Sequence, residues 1–238
     1  MRVHLILLLM LSGAFGINQS LAQTIAAGLM HSLALKEDGT VVAWGNDSWS
    51  PCEVPSGLKN VTAIKAVDQH FLALKQDGTV VSWGDNSRNQ CNIPSGLKDV
   101  VAVGTGDWHS LALKEDGTVV AWGSNLSKQC NVPSGLKDVV AVDAGNGYSL
   151  ALKEDGTVVA WGSNVSKQCN VPSGLKDVVA IEAGTAHSLV LIDDGTVVTW
   201  GSSKKTQRNV PIGLKDVVAI AAGLYHSLAL REDGTVVA

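Results

Sequence analysis

No basic run of any length occurs in this 238-residue chain; the densest is the pair Lys204-Lys205. A duplex-binding surface needs a stripe of Lys and Arg to neutralise phosphates. With a net charge of −4 and no such stripe, nucleic acid is not an expected partner. Also missing are a Gly-x-Ser-x-Gly nucleophile turn, a phosphate-binding loop, a dinucleotide fingerprint and an Asp-x-Asp-x-Asp-Gly calcium loop. Cys-x-x-Cys is absent as well. These absences predict a protein that is not an enzyme and that holds no cofactor or metal. No segment sustains a helical hydrophobic period for ten residues, which excludes helical classes. Beyond the first 22 residues no apolar run could span a membrane.

What is present is repetition. Gly39, Gly78, Gly117, Gly156, Gly195 and Gly234 each follow an Asp, and each lies 39 residues after the one before. A fixed period of this length marks an array of identical structural units. The third copy, Val100 to Asp138, holds three short apolar runs: VVAVGTG, HSLALK and TVVAWG. The last two are separated by Glu-Asp-Gly, and Asp-Gly between apolar runs predicts a hairpin turn with φ > 0 at both central positions. The unit reads as a three-stranded antiparallel meander with a longer return connection. Val119, Val120, Ala121 and Trp122 run without alternation, so both faces of each sheet must be covered. Radial packing of such sheets gives an all-β fold, a β-propeller of 39-residue blades. Trp44, Trp83, Trp122, Trp161 and Trp200 recur in register and are expected to pack blade against blade.

The pattern AAGxxHSLALKxDGTVVAWG followed by NVPSGL resembles the regulator of chromosome condensation repeat family, most closely its compact bacterial secreted version. The resemblance covers six copies over residues 23–238 and implies a seven-bladed layout. It implies a binding module, one version of which inhibits an extracellular or periplasmic enzyme. Guanine-nucleotide exchange, the best-known activity of the family, is the alternative, and a structural, self-assembling surface protein is another. The family often has a Gly before the Gln of the loop after Trp-Gly. Here Asn89, Lys128, Lys167 and Thr206 stand there instead, which questions the conformation of that loop.

Residues 1–22 read as a secretory signal peptide: Arg2 and His4, an apolar run LILLLMLSGAFG, then Ser20-Leu21-Ala22 as a cleavage site. Export to the periplasm or the extracellular space is the expectation, with residues 23–238 as one six-repeat propeller. The sequence stops at Ala238, within the last strand of copy six, which suggests a truncated ring of at least seven blades. An open ring would expose two apolar blade faces and offer a route to self-association.

Six copies in one chain can be compared with each other. The Asp-Gly hairpin barely changes. Two segments do change: the pair between strands one and two, and the loop after Trp-Gly. In an up-down-up meander both emerge at one edge, so the variation falls on one face of the disc. That face carries Trp49, Trp108 and Tyr225, with Met30, Leu224, Asp107 and Arg88. Exposed Trp and Tyr are typical interface anchors. These seven residues are the candidate contacts to a protein partner of unknown identity.

His31, His70, His109, His187 and His226 also recur in register, with Tyr148 in the fourth place. Imidazoles spread around a ring are too far apart for one zinc, and hydrogen-bonding core residues are expected. They are the one titratable set that register would bring towards the axis. Cys52, Cys91, Cys130 and Cys169 form a ladder whose spacing disfavours disulfides, so free thiols are expected. The Asp residues of the hairpins serve backbone conformation and do not converge on a substrate.

Overall fold

A computed structural model describes residues 24–46, 52–203 and 207–238. The predicted leader, Trp49 and Thr206 lie outside the described residues. The described residues form six three-stranded antiparallel sheets, each contiguous in sequence. In the third blade the inner strand is Val100–Thr105, the middle strand His109–Lys114 and the outer strand Val119–Gly123. The other blades span 24–45, 61–84, 139–162, 178–201 and 217–237. Inner strands of successive blades pack side by side around a central channel.

The cores lie between blades. Leu111 and Leu113 of blade three meet Val139, Val142, Ala151 and Trp161 of blade four in one cluster. Equivalent clusters join blades one to two, two to three and four to five. The middle strand is thus buried on both faces, with Leu111 and Ala112 at 0 % exposure, whereas in the outer strand, whose run lacks alternation, Val119, Val120 and Ala121 are half-buried and Trp122 is buried.

The hairpin turn differs from expectation. Gly117 has φ 76°, while Asp116 is not in the left-handed region. Gly117 N–H donates to Lys114 O and Lys114 N–H to Thr118 O, a turn completed by one left-handed Gly. Asp116 therefore serves through its side chain, not through a positive φ. Its carboxylate accepts Thr118 N–H at 3.0 Å and Lys114 Nζ at 3.1 Å. The Thr118 hydroxyl above all, then its N–H and Lys114, hold this carboxyl down to about 2.

The loop after Trp-Gly keeps a glycine-like backbone without glycine. Asn89, Lys128 and Lys167 have φ of 63°, 64° and 64°. A non-Gly residue there costs about 1–2 kcal/mol, so the loop must be held by other bonds. It is: Asn125 Nδ2 donates to Asn131 Oδ1 at 2.7 Å, and Asn125 Oδ1 accepts Cys130 N–H at 3.0 Å. Gln129 Oε1 accepts Ser127 N–H at 2.8 Å.

The sixth blade does not pack on the first as other neighbours pack. Trp83, Trp122, Trp161 and Trp200 are at most 8 % exposed, whereas Trp44 is 49 % exposed. Each buried Trp lies against the preceding blade, and among the described residues no blade covers Trp44. This corrects the expectation for Trp44. Ile25, Val42, Leu230 and Val236 are exposed on the two uncovered faces.

Candidate functional site

Backbone hydrogen bonds tie the two variable segments of each blade together. Ser124 N–H donates to Trp108 O at 2.8 Å, Asp85 N–H to Gln69 O at 2.9 Å and Asn46 N–H to Met30 O at 2.9 Å. Both segments thus share one face of the disc. The Asp-Gly hairpins bond to the start of the next inner strand, as Val100 N–H to Gly78 O, and lie at the opposite end.

The predicted contact residues stand on this loop face. Met30, Tyr225, Trp108 and Leu224 are 64 %, 53 %, 39 % and 36 % exposed, and Arg88 is exposed. Asp107 is half-buried at the channel mouth. Sequence reasoning missed two further apolar tips, Leu126 and Val165, which are 80 % and 92 % exposed. They occupy the same loop position in copies three and four, and an apolar residue at a loop tip was the available signal.

His31, His70, His109 and His187 are buried between blades, and His226 alone of the described histidines lines the channel cavity. His109 Nε2 lies 3.0 Å from Ser149 Oγ of the next blade, and that hydroxyl donates to Gln129 O at 3.0 Å. Since Ser149 spends its proton on Gln129, His109 must donate from Nε2. Trp161 Nε1–H donates to the same Gln129 carbonyl at 2.8 Å. The four residues form a staple between blades. It recurs at His70, Ser110, Gln90 and Trp122. At the fourth place Tyr148 Oη reaches the carbonyls of Gly184 and His187 instead, at 3.0 and 2.6 Å. Between blades one and two Phe71 replaces the Ser and packs edge-on against His31, with ring centroids 4.4 Å apart.

Burial holds these imidazoles neutral: His70 falls to about 4 and His109 to about 3 from an ordinary 6.5. A histidine depressed in the folded state contributes stability that is present above its unfolded pKa and lost as pH falls towards the folded one. His109→Gln is expected to destabilise at pH 7.5 and to be less harmful in acid. The gap in stability to the parent should narrow by about 2 kcal/mol between pH 7.5 and 4.5. Urea unfolding of both proteins across that range checks it, and a constant gap would contradict the assignment.

The cysteines are free thiols. Cys130 Sγ lies 3.1 Å from Ser124 O, Cys169 Sγ lies 3.1 Å from Ser163 O, and burial pushes both thiols up to about 11. They close the loop and are poor nucleophiles at neutral pH.

What does converge on the axis is a set of carboxylates and one lysine, contrary to the expectation that only the histidines were placed to do so. The inner strands border a cavity of about 650 Å³ that extends between blades one and six. Lys65 Nζ of blade two reaches Asp143 Oδ1 of blade four at 3.5 Å. Asp143 Oδ2 also accepts Ala183 N–H at 2.8 Å. Glu182 stands beside them, its pKa raised by burial and by Asp143 against the pull of Lys65. Asp68 and Asp107 hold the mouth on the loop face, flanked by Leu29 and Leu224. Asp107 is pushed up to about 6, by burial first and by Asp68 second, while a 2.6 Å bond from Asn146 Nδ2 opposes the shift. These acids sit in register, Asp143 and Glu182 at one repeat position and Asp68 and Asp107 at another. Comparing inner-strand charges between copies would have found Asp143 and Glu182, while Asp107 was already among the predicted contacts.

Six contiguous blades, staples between neighbours and one variable face define a β-propeller of the binding-module type. The regulator of chromosome condensation (RCC1) repeat matches residues 23–48, 61–90, 100–129, 139–168, 178–207 and 217–238. The chain belongs to this repeat family. No curated protein matches it by sequence. Among solved structures it is similar to Prp20p of Saccharomyces cerevisiae, described with its binding to Gsp1p and histones. That likeness has 23 % identity and a TM-score of 0.75, over 90 % of this chain and 70 % of the other. It is also similar to human WBSCR16, at 19 % identity and a TM-score of 0.73, over 92 % and 75 %. The ectodomain of the Physcomitrella patens receptor kinase CR4 shares 23 % identity with a TM-score of 0.76, over 89 % and 62 %. At these identities the likeness is one of fold. Among the described residues no helix is long and apolar enough to cross a membrane.

Proposed function

We propose that this propeller is a secreted, non-enzymatic module that binds another protein through its loop face, in one version as an inhibitor of an extracellular or periplasmic enzyme. The observation that carries the reading is the coincidence of variation and exposure. Positions that differ between copies carry the exposed Met30, Trp108, Leu126, Val165 and Tyr225, while the opposite hairpins repeat nearly unchanged. Large apolar side chains clustered on one face mark interaction sites, and Trp and Tyr anchors lose little rotamer entropy on docking. Export rests on the leader-like residues 1–22. The relative Prp20p, with its binding to Gsp1p and histones, supports a protein partner in kind and not in identity.

Capture from the secreted and cell-surface proteins of the host tests the reading. The immobilised protein should retain a specific partner, and the folded variant Met30→Ala/Trp108→Ala/Tyr225→Ala should retain at least about tenfold less, as loss of interface anchors costs 1 kcal/mol or more each. Equal retention by both would move the site off this face.

A further inference from the structure

We infer that the channel mouth is a pocket for one basic side chain, an arginine or lysine that the protein partner inserts between Asp68 and Asp107. This inference rests on the loop-face reading and adds what the face selects. Three independent features meet there. The first is space: Asp68 and Asp107 border a cavity of about 650 Å³ that runs along the inner strands and on between blades one and six, ample for one long side chain.

The second feature is uncompensated charge. Asp68 and Asp107 come from neighbouring blades, and among the described residues neither has a cation within 4 Å. Lys65 cannot serve them, because Asp143 and Glu182 already hold it deeper in the channel. The cavity wall mixes small apolar residues, Ala66, Gly145 and Ala183, with Thr185, Glu182, Lys65 and His226; burial and a neighbouring carboxylate, Asp85 for Asp68 and Asp68 for Asp107, disfavour the charge on each acid. A cation placed between them relieves both penalties at once.

The third feature is the rim. Trp108 follows Asp107 directly and is 39 % exposed, so its indole is available for the stem or guanidinium of an inserted side chain. Leu29 and Leu224 supply apolar contact along the rest of the edge. A divalent cation is less well served: calcium takes six to eight oxygen ligands, and although Asp85 also stands near Asp68, no three acidic, His or Cys side chains among the described residues come together as a metal site.

The test uses Nα-acetyl-arginine amide as probe and Nα-acetyl-citrulline amide, equal in shape and neutral, as control. Each is titrated into the ¹⁵N-labelled protein and followed by amide shifts. The arginine probe should shift amides near residues 68, 107, 146 and 185 saturably, with a Kd on the order of millimolar for so small a ligand. Citrulline should not. Asp107→Asn should weaken the probe at least fivefold, and Asp68→Asn/Asp107→Asn should abolish it, with circular dichroism confirming the fold. Binding should also weaken from pH 7.5 to 5.0, as Asp107 takes up a proton. Equal shifts by citrulline, or none by arginine at these amides, would overturn the pocket. Displacement of the arginine probe by micromolar CaCl₂ would overturn it in favour of a metal site. If the probe fails while the alanine face variant still loses the partner, the loop-face reading stands and the pocket alone falls.

Discussion

Trp161→Ala should cost about 3–5 kcal/mol of stability, the usual range for emptying a buried aromatic site. Trp44→Ala should cost less than about 1 kcal/mol, although both tryptophans hold the same place in the repeat. The difference comes from what lies in front of each. Trp161 is 8 % exposed and packs on Leu111 and Leu113 of the preceding blade. Its indole N–H also donates to Gln129 O, so alanine removes packing and a hydrogen bond together. Trp44 is 49 % exposed, with no blade packed on it among the described residues. For a chain of this size, a loss of 4 kcal/mol lowers Tm by about 8–16 °C. Thermal unfolding of the two variants beside the parent checks the contrast. Equal losses would mean that the exposed face of blade one is covered in solution.

Gly145→Ala is expected to be nearly as damaging, at about 3 kcal/mol or more, the upper end for overpacking. A Cβ built at Gly145 would lie 2.2 Å from Gly184 O and 2.2 Å from the Tyr148 ring. The carbonyl belongs to the neighbouring blade's backbone and cannot rotate away. The contact is a close approach at the channel wall, where inner strands converge. Gly135→Ala offers the comparison: nothing lies within 4 Å of its Cβ, and strain at φ 78° is its main cost. Chemical denaturation should rank Gly145→Ala well below Gly135→Ala in stability. The reverse order would contradict the packing of inner strands described above.

Much of this architecture could be read from the repeat. The 39-residue period, the three apolar runs and the Asp-Gly punctuation lead to six meanders without reference to anything outside the chain. The loop face follows too, because a meander has two ends and only one of them varies. The staples are less legible. His109, Ser149, Gln129 and Trp161 each recur visibly, but their meeting depends on which face of one blade covers which face of the next. Periodicity does not encode that choice. The turn was misjudged because Asp-Gly is compatible with two turn types, and the Thr118 hydroxyl and N–H on Asp116 select between them. Of the channel acids Asp107 was singled out, but Asp143 and Glu182 were overlooked because the inner strand reads as apolar. Lys65, Asp143 and Glu182 look like isolated surface charges until the ring brings their strands together.

The measurement that bears most directly on the account is a hydrogen-exchange footprint of the propeller with its captured partner. The account predicts slowed exchange at residues 29–30, 68–69, 107–108, 124–128, 163–167 and 224–225, the segments that form the loop face. The hairpins at 37–39, 76–78, 115–117 and 154–156 should exchange as in the free protein. Protection confined to those hairpins, or to the uncovered faces around Trp44 and Leu230, would contradict it.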